Sequence, residues 1–446
     1  MPEHDVVVVG AGISGLALAH RLKALGRDVL VLERAARPGG VIRTAHEAGF
    51  QYEQGPSTLL GRPELLALAG ELGLGERVIE AKGPATRWVL KDGRLHPIPL
   101  SPPAFLKTRL IRPCAKLGLV REPFVARAPD GTEESIAGFV RRRLGEDFLA
   151  NLVDPFVSGI FAGDPERLSL RWALPRMHAL ELEHGSLIRG AIKKKKGPAP
   201  VASRHLLSFP AGLEELPRAL ARGLGDRLRC ASAVRALERD GRGFRLDTGA
   251  GERFRARQVV LAVEADAAAS LLDAIAAEQA KLLAAIPYVP LAVVFLGFRE
   301  SELERPFEGF GFLAARGEPV SMLGCLRASG LFPDRAPAGM LGLVAYVGGR
   351  RQPELCALDD KALVERVLAD LRRVLGVRGE PAAWAVTRWP RAIPQYELGH
   401  GRFIEAVAAL ERAAPGLRIA GSYTGGVSIP DRLAFADRLA RSIAQA

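Results

Sequence analysis

The sequence predicts an α/β chain in three parts: a parallel-sheet domain built from discontinuous segments, an α+β domain, and a helical insertion. Three observations predict this. A β-branched run near the amino end, Val6-Val7-Val8-Val9, leads directly into a glycine-rich turn and a helical pattern. Strand-like runs return far downstream, at Val259-Val260-Leu261-Ala262-Val263 and Leu417-Arg418-Ile419. The stretches between them differ in kind: helix formers with Arg and Lys from about 101 to 205, then alternating apolar and small residues from about 286 to 400.

A continuous β-branched run suits a strand covered on both faces. It enters Gly10-Ala11-Gly12-Ile13-Ser14-Gly15, a G-x-G-x-x-G. Leu16, Leu18, Ala19, Leu22 and Leu25 follow as helical sequence, with Gly26 as a stop. A second run, Val29-Leu30-Val31-Leu32, ends at Glu33. This is the order of a Rossmann-like dinucleotide site. Gly10 permits the tight turn, Gly12 lets the backbone approach a pyrophosphate, and Gly15 allows close helix–strand packing. The helix start at Ile13 and Ser14 offers free N–H groups and a partial positive charge to the phosphates. Glu33 can accept hydrogen bonds from both ribose hydroxyls, and an acid there disfavours the extra phosphate of NADP.

The 446 residues suggest two to three domains of about 150 each. With 48% hydrophobic and 25% charged residues, a disordered or fibrous chain is excluded. The 62 Lys+Arg against 50 Asp+Glu leave +12, which suits nucleic acid, an anionic membrane surface, or a carboxylate- or phosphate-bearing ligand. Lys193 to Lys196, followed by Gly-Pro-Ala-Pro, reads as an exposed loop. It lacks interleaved aromatics, and no recognition-helix motif is present, so no nucleic-acid partner is expected. The stretch with Lys107, Arg109, Arg112, Lys116 and Arg121 among Phe105, Leu106, Leu110, Ile111, Leu117, Leu119 and Val120 is amphipathic. It could rest on an anionic membrane or be a solvated helix face. Four dispersed cysteines and eight scattered histidines show no metal spacing, so no metal is expected and a reducing compartment is the default. No signal peptide precedes Val6, and no apolar run reaches the ~18 residues of a spanning helix. The expected chain is cytoplasmic, either soluble or peripheral on the inner face of the cell membrane.

Two later stretches extend the dinucleotide domain. Phe209-Pro210-Ala211-Gly212 opens a helix and is followed by strand-like sequence through Val234. Leu417 to Gly421 reads as strand and turn, and Asp431 is placed to cap a final helix carrying Leu433, Ala436, Leu439, Ala440 and Ile443.

The segment Arg34-Ala35-Ala36-Arg37-Pro38-Gly39-Gly40-Val41-Ile42-Arg43 resembles the Gly-Gly segment of the flavin amine oxidase superfamily. That resemblance points to FAD. Arg87-Trp88-Val89-Leu90, Ser101 to Leu106, Gly159 to Asp164, Glu183 to Ile188, Gly309 to Leu313, and Arg388-Trp389-Pro390 with Ile393 to Tyr396 narrow it further. In order, over nearly the whole chain, they resemble the protoporphyrinogen/coproporphyrinogen oxidase family. The resemblance implies an FAD-binding domain from 1–84, 205–285 and 401–446. A substrate domain would take 85–100 and 286–400, and residues 101–204 would be a helical insertion suited to a membrane surface. Cofactor contacts are implied for Arg34, Gly39, Gly40, Arg43, Gly55, Pro56, Ser57, Trp389, Gly421, Val427, Ser428 and Ile429, with Val234 against the adenine.

For the substrate, Arg87 would anchor a propionate, Phe310 and Leu313 would sandwich the macrocycle, and Gly159 would leave room beside it. The implied reaction oxidises protoporphyrinogen IX to protoporphyrin IX in three two-electron rounds, with molecular oxygen as acceptor and hydrogen peroxide released. No side-chain base is required, so His184 and His400 are expected to be structural. Coproporphyrinogen III oxidation stays open, because Ile429-Pro430-Asp431 resembles that branch. A flavin amine oxidase or carotenoid desaturase, a non-catalytic porphyrin or flavin carrier, and a homodimer also stay open. Three features depart from the family pattern. Ser57 stands where Asn is common, a glycine is added at Gly425-Gly426, and Arg432 replaces Cys, either altering flavin contacts or pointing into solvent.

Overall fold

The Val-rich run forms the strand Glu3–Val9, and its side chains alternate between two cores. Val6 and Val8 pack with Leu16, Leu220 and Leu433, whereas Val7 and Val9 pack with Leu272, Phe403 and Leu410. The computed structural model describes residues 2–81, 86–129, 131–195, 205–241, 243–304 and 307–445. Glu3–Val9 pairs in parallel with Val29–Leu32 on one side and Arg253–Leu261 on the other. Leu228–Arg229 lies outside Val29–Leu32, while Gly243–Thr248 and then Val234–Asp240 extend the sheet at the opposite side. Arg253–Leu261 divides its far edge between two partners. Its first half pairs antiparallel with 244–247, and its last three residues pair in parallel with Leu417–Ile419. One sheet is therefore knit from the start, middle and end of the chain, an α/β arrangement. Helices Ile13–Ala24 and Ile429–Gln445 pack together on one face, and Ala265–Ala284 with Gly401–Ala413 covers the other.

A second sheet has seven strands, in the spatial order Ala383–Pro394, Tyr288–Arg299, Met340–Gly348, Met322–Arg327, Gly311–Ala314, Arg87–Lys91, Arg94–Pro97. Its one parallel pairing sets Gly311 opposite Arg87. Helix Asp360–Leu375 packs Leu363, Val367 and Leu371 on one face of this sheet. The hairpin of Thr44–Glu47 and Phe50–Glu53 lays Phe50 and Tyr52 on the other, with Tyr52 stacked on Phe295 at 4.0 Å between ring centres. The hairpin thereby ties the glycine-rich segment to the second sheet.

Between these parts in sequence, short helices gather around Phe139, Val140, Phe148, Val157 and Phe161. Arg143 lies inside, with Nη1 2.7 Å from Glu122 and Nη2 2.5 Å from Glu181. The Ser186 hydroxyl and the Leu187 and Ile188 amides also donate to Glu122. Buried charges are tolerated when paired and hydrogen-bonded in this way. Among the described residues, no helix is long and apolar enough to cross a membrane.

Two sequence expectations change here. Lys193, Lys194 and Lys195 belong to helix Leu187–Lys195 and not to a loop, because lysine is a good helix former. Lys196 and the Gly-Pro-Ala-Pro run lie outside the described residues. The basic stretch is not one helix. It breaks into Pro102–Lys107, Pro113–Gly118 and the tight turn Leu119–Phe124, since Pro113 starts a helix but cannot sit inside one.

Candidate active site

The glycines of the first turn serve two purposes. Gly10 sits at φ +103°, and a Cβ there would lie 2.6 Å from the Ala262 carbonyl oxygen. A Cβ at Gly15 would lie 2.0 Å from the Gly10 carbonyl oxygen. Packing alone demands these two. Gly12 differs: it is the N-cap of helix Ile13–Ala24, no side chain caps that end, and a Cβ would meet nothing within 4 Å. The first helical amides, at Ile13 and Ser14, lack intrahelical acceptors and border open space, which suits a diphosphate. Gly39 donates its N–H to Ala11 at 2.8 Å and bridges to Gly12. Gly40, at φ +58°, brings the Gly-Gly segment so close that a Cβ would lie 3.3 Å from Gly12 Cα.

Glu33 is nearly buried at the end of the second strand and accepts from the Ala11 N–H at 2.6 Å and the Ala35 N–H at 2.8 Å. Those bonds fix its carboxylate beside the loop, with acceptor capacity left for hydroxyls. Ser232 N–H donates to the Glu33 carbonyl at 2.8 Å, which brings half-buried Val234 to the same corner. Arg34 is exposed and reaches toward Glu264 at 3.4 Å.

The Arg43 carbonyl accepts the Gln54 N–H at 2.8 Å, joining the Gly-Gly segment to Gly55-Pro56-Ser57. A Cβ at Gly55 would lie 2.1 Å from the Val41 carbonyl oxygen, so glycine is required. The Ser57 hydroxyl bonds the Tyr346 hydroxyl, which also donates to the Gly55 carbonyl at 3.1 Å. Trp389 Nε1 donates to the Gln54 carbonyl at 2.6 Å. Tyr346 and Gln54 give no signal in sequence, because their partners are strands hundreds of positions away. Nearby, burial pushes Glu53 up to about 7, while it accepts from the Leu213 N–H and the Thr44 hydroxyl.

At the far end of the chain, Gly421 leaves room for the Tyr423 ring, and Val427 packs against the helical insertion. Helix Ile429–Gln445 begins three residues earlier than a cap at Asp431 implies. The Asp431 N–H donates to Ser428 Oγ at 3.2 Å, and the Ser428 hydroxyl donates to Asp431 at 2.5 Å. Ser428 is the cap and Asp431 its partner three residues on, the reciprocal arrangement that an N-cap serine favours. His400 is buried, its Nε2 lies 3.0 Å from the Tyr423 carbonyl, and burial holds its pKa down to about 4. Arg432 does not point into solvent. It is 2% exposed, because Gly425 and Phe435 leave it a slot beneath the terminal loop.

The four residues expected at the substrate meet in two contacts. The Arg87 guanidinium lies 5.3 Å from the centre of the Phe310 ring. Burial holds it below its ordinary pKa, and no carboxylate pairs with it among the described residues. A Cβ at Gly159 would lie 2.7 Å from Leu313 Cδ2, so Leu313 fills the space that this glycine leaves. A Cβ at Gly324 would lie 3.0 Å from the same atom, a second accommodating glycine that pattern reading misses.

The donor set around the loop — an uncapped helix end, two interlocked glycine segments and an acid at the ribose position — fits FAD, which supplies two-electron redox chemistry when bound. The sequence profile described as Flavin containing amine oxidoreductase matches residues 13–442. The chain belongs to the flavin-containing amine oxidase family. Like that family, it is an FAD-dependent oxidoreductase of mixed α/β fold. It is 35% identical over 456 residues to the chloroplastic protoporphyrinogen oxidase of Oryza sativa subsp. japonica, covering 95% of this chain and 85% of that one. It is 31% identical over 458 residues to the coproporphyrinogen III oxidase of Bacillus subtilis (strain 168), covering 96% and 95%. A crystal structure from Exiguobacterium sp. 255-15, provisionally assigned as a protoporphyrinogen oxidase, superposes with a TM-score of 0.84 at 28% identity, covering 100% and 99%.

Proposed function

We propose that this flavoprotein oxidises protoporphyrinogen IX to protoporphyrin IX with molecular oxygen. Six hydrogens leave the substrate in three two-electron rounds, and three oxygen molecules are reduced to three of hydrogen peroxide. The observation that carries the reading is Arg87, half-buried over Phe310 with no acid partner among the described residues. A porphyrinogen is a broad apolar disc with carboxylate tails. It calls for aromatic and aliphatic walls, here Phe310 and Leu313, and a guanidinium that forks onto a carboxylate. The chain's part is to orient the disc and exclude water, while aromatisation drives the reaction. No side-chain base is assigned, since burial makes His400 a weak proton acceptor and its Nε2–H donates to the Tyr423 carbonyl.

Coproporphyrinogen III, with four carboxylates in place of two, is the second reading. The Ile429-Pro430-Asp431 segment and the Bacillus relative favour it. Incubating the purified holoenzyme with each porphyrinogen and following porphyrin fluorescence separates them. Faster turnover of protoporphyrinogen is expected; equal or greater turnover of coproporphyrinogen overturns the first reading.

The same proposal seats the helical insertion on an anionic membrane. Supporting it, Phe124 is 81% exposed and Leu117 72% exposed, alongside exposed Leu106 and Val120, in the stretch carrying Lys107, Lys116 and Arg121.

A further inference from the structure

A guanidinium withdrawn from water without an acid is costly unless something completes it. Arg432 is such a group. Its Nε donates to Ser14 Oγ at 2.8 Å and one Nη to the Ala420 carbonyl at 2.6 Å, both neutral acceptors. The other nitrogen, Nη1, is buried with no hydrogen-bond partner. No carboxylate pairs with Arg432 among the described residues. The adjacent Asp431 is occupied instead by Arg62, at 2.6 Å, and by Ser428. Ser14 is the second residue of helix Ile13–Ala24, the helix whose N-terminus has no side-chain cap. An uncompensated cation and an uncapped helix end therefore meet at one place.

Gly425 accounts for the fit. A Cβ there would lie 2.5 Å from Phe435 Cδ2 and 3.1 Å from Arg432 Nη1. The Phe435 ring centre is 4.7 Å from the guanidinium. The two departures from the family pattern in the terminal loop are thus one change: the glycine makes room for the arginine.

The geometry points to Arg432 as a positioning residue for the FAD diphosphate in this chain, acting through Ser14 and through its charge beneath the helix end, with Gly425 as its companion. The diphosphate offsets the burial of the cation, so cofactor occupancy is coupled to the final helix. This goes beyond the substrate reading and is the same for either porphyrinogen.

The test is FAD and ADP affinity of the deflavinated protein, with thermal melting of both forms and the flavin midpoint potential of the holoenzyme. Arg432→Cys is expected to weaken FAD and ADP alike by about 10-fold, the size of losing one nearby buried charge together with its hold on Ser14. It should leave the apo melting point no lower than wild type, shrink the gain in melting on adding FAD, and leave the potential unchanged. Arg432→Lys recovers part of the affinity. Gly425→Ala weakens FAD in the parent but adds less in the Arg432→Cys background. Unchanged FAD and ADP affinity with lower melting in both forms would overturn the proposal, making Arg432 a structural pin. A shifted potential with intact ADP affinity overturns it too, since the charge would then act on the ring. Additive losses remove Gly425 from it.

Discussion

Arg87 and Arg432 are both guanidinium groups at least half withdrawn from water with no paired acid among the described residues, and each is cushioned by a phenylalanine ring. They differ in access: Arg87 is half-buried at the start of an inner strand, Arg432 sealed beneath the terminal loop. Arg87 suits a ligand that must come and go. Arg87→Ala is expected to raise KM for the porphyrinogen about 10- to 100-fold while moving kcat far less, because a remote carboxylate contact is made equally in ground and transition states. Arg87→Lys keeps the charge but loses the fork, and should fall between. Steady-state kinetics check this; a fall in kcat at constant KM would place Arg87 at the reacting carbon. Single residues were legible in the sequence where backbone sterics leave one choice, as at Gly10 and Gly15. The burial of Arg432 was not legible, because nothing in the order of residues says that Gly425 opens a slot beside it.

Among the elements, the helical insertion depends on its buried ionic cluster. Burial pushes the Glu122 carboxyl up, but the Ser186 hydroxyl, the Leu187 and Ile188 amides and Arg143 together hold it below the usual carboxylate range. Arg143→Met leaves Glu122 and Glu181 without this buried cation, and should cost about 3–5 kcal/mol of stability at pH 7. A carboxylate with a lowered folded pKa contributes stability above its unfolded value, near 4.3, and loses it as pH falls through the folded value. The gap between variant and parent in urea unfolding should therefore narrow below about pH 4; a gap constant with pH would remove Glu122 from the account. Sequence reading recovered the β-branched parallel strands because Val6 to Val9 can be buried on both faces in few other ways. It missed the helix at Lys193 to Lys195 by giving charge more weight than propensity. It set the last helix's cap at Asp431 because the reciprocal role of Ser428 shows only in the hydrogen bonds.

For the whole molecule, the net charge of +12 is much more than a diphosphate and a substrate carboxylate require. If the helical insertion rests on lipid, the protein should partition onto vesicles containing anionic lipid and leave them as salt rises. Leu117→Ser with Phe124→Ser should lower partitioning several-fold at constant charge, read by vesicle co-sedimentation. Weak, salt-insensitive binding would end the idea. The topology of the second sheet was beyond reach of the sequence, since the pairing of Gly311 with Arg87 joins strands separated by the whole helical insertion and much of the first sheet. The divided strand Arg253–Leu261 has a further consequence for how the protein is made. The edge of Arg253–Leu261 that Leu417–Ile419 must fill stays unpaired until the whole of the intervening second-sheet segment has been synthesised. Until then the nascent protein presents an open strand edge, an invitation to aggregation. Stalling between these two segments, more than at any earlier point, should decide whether it reaches chaperones or solution.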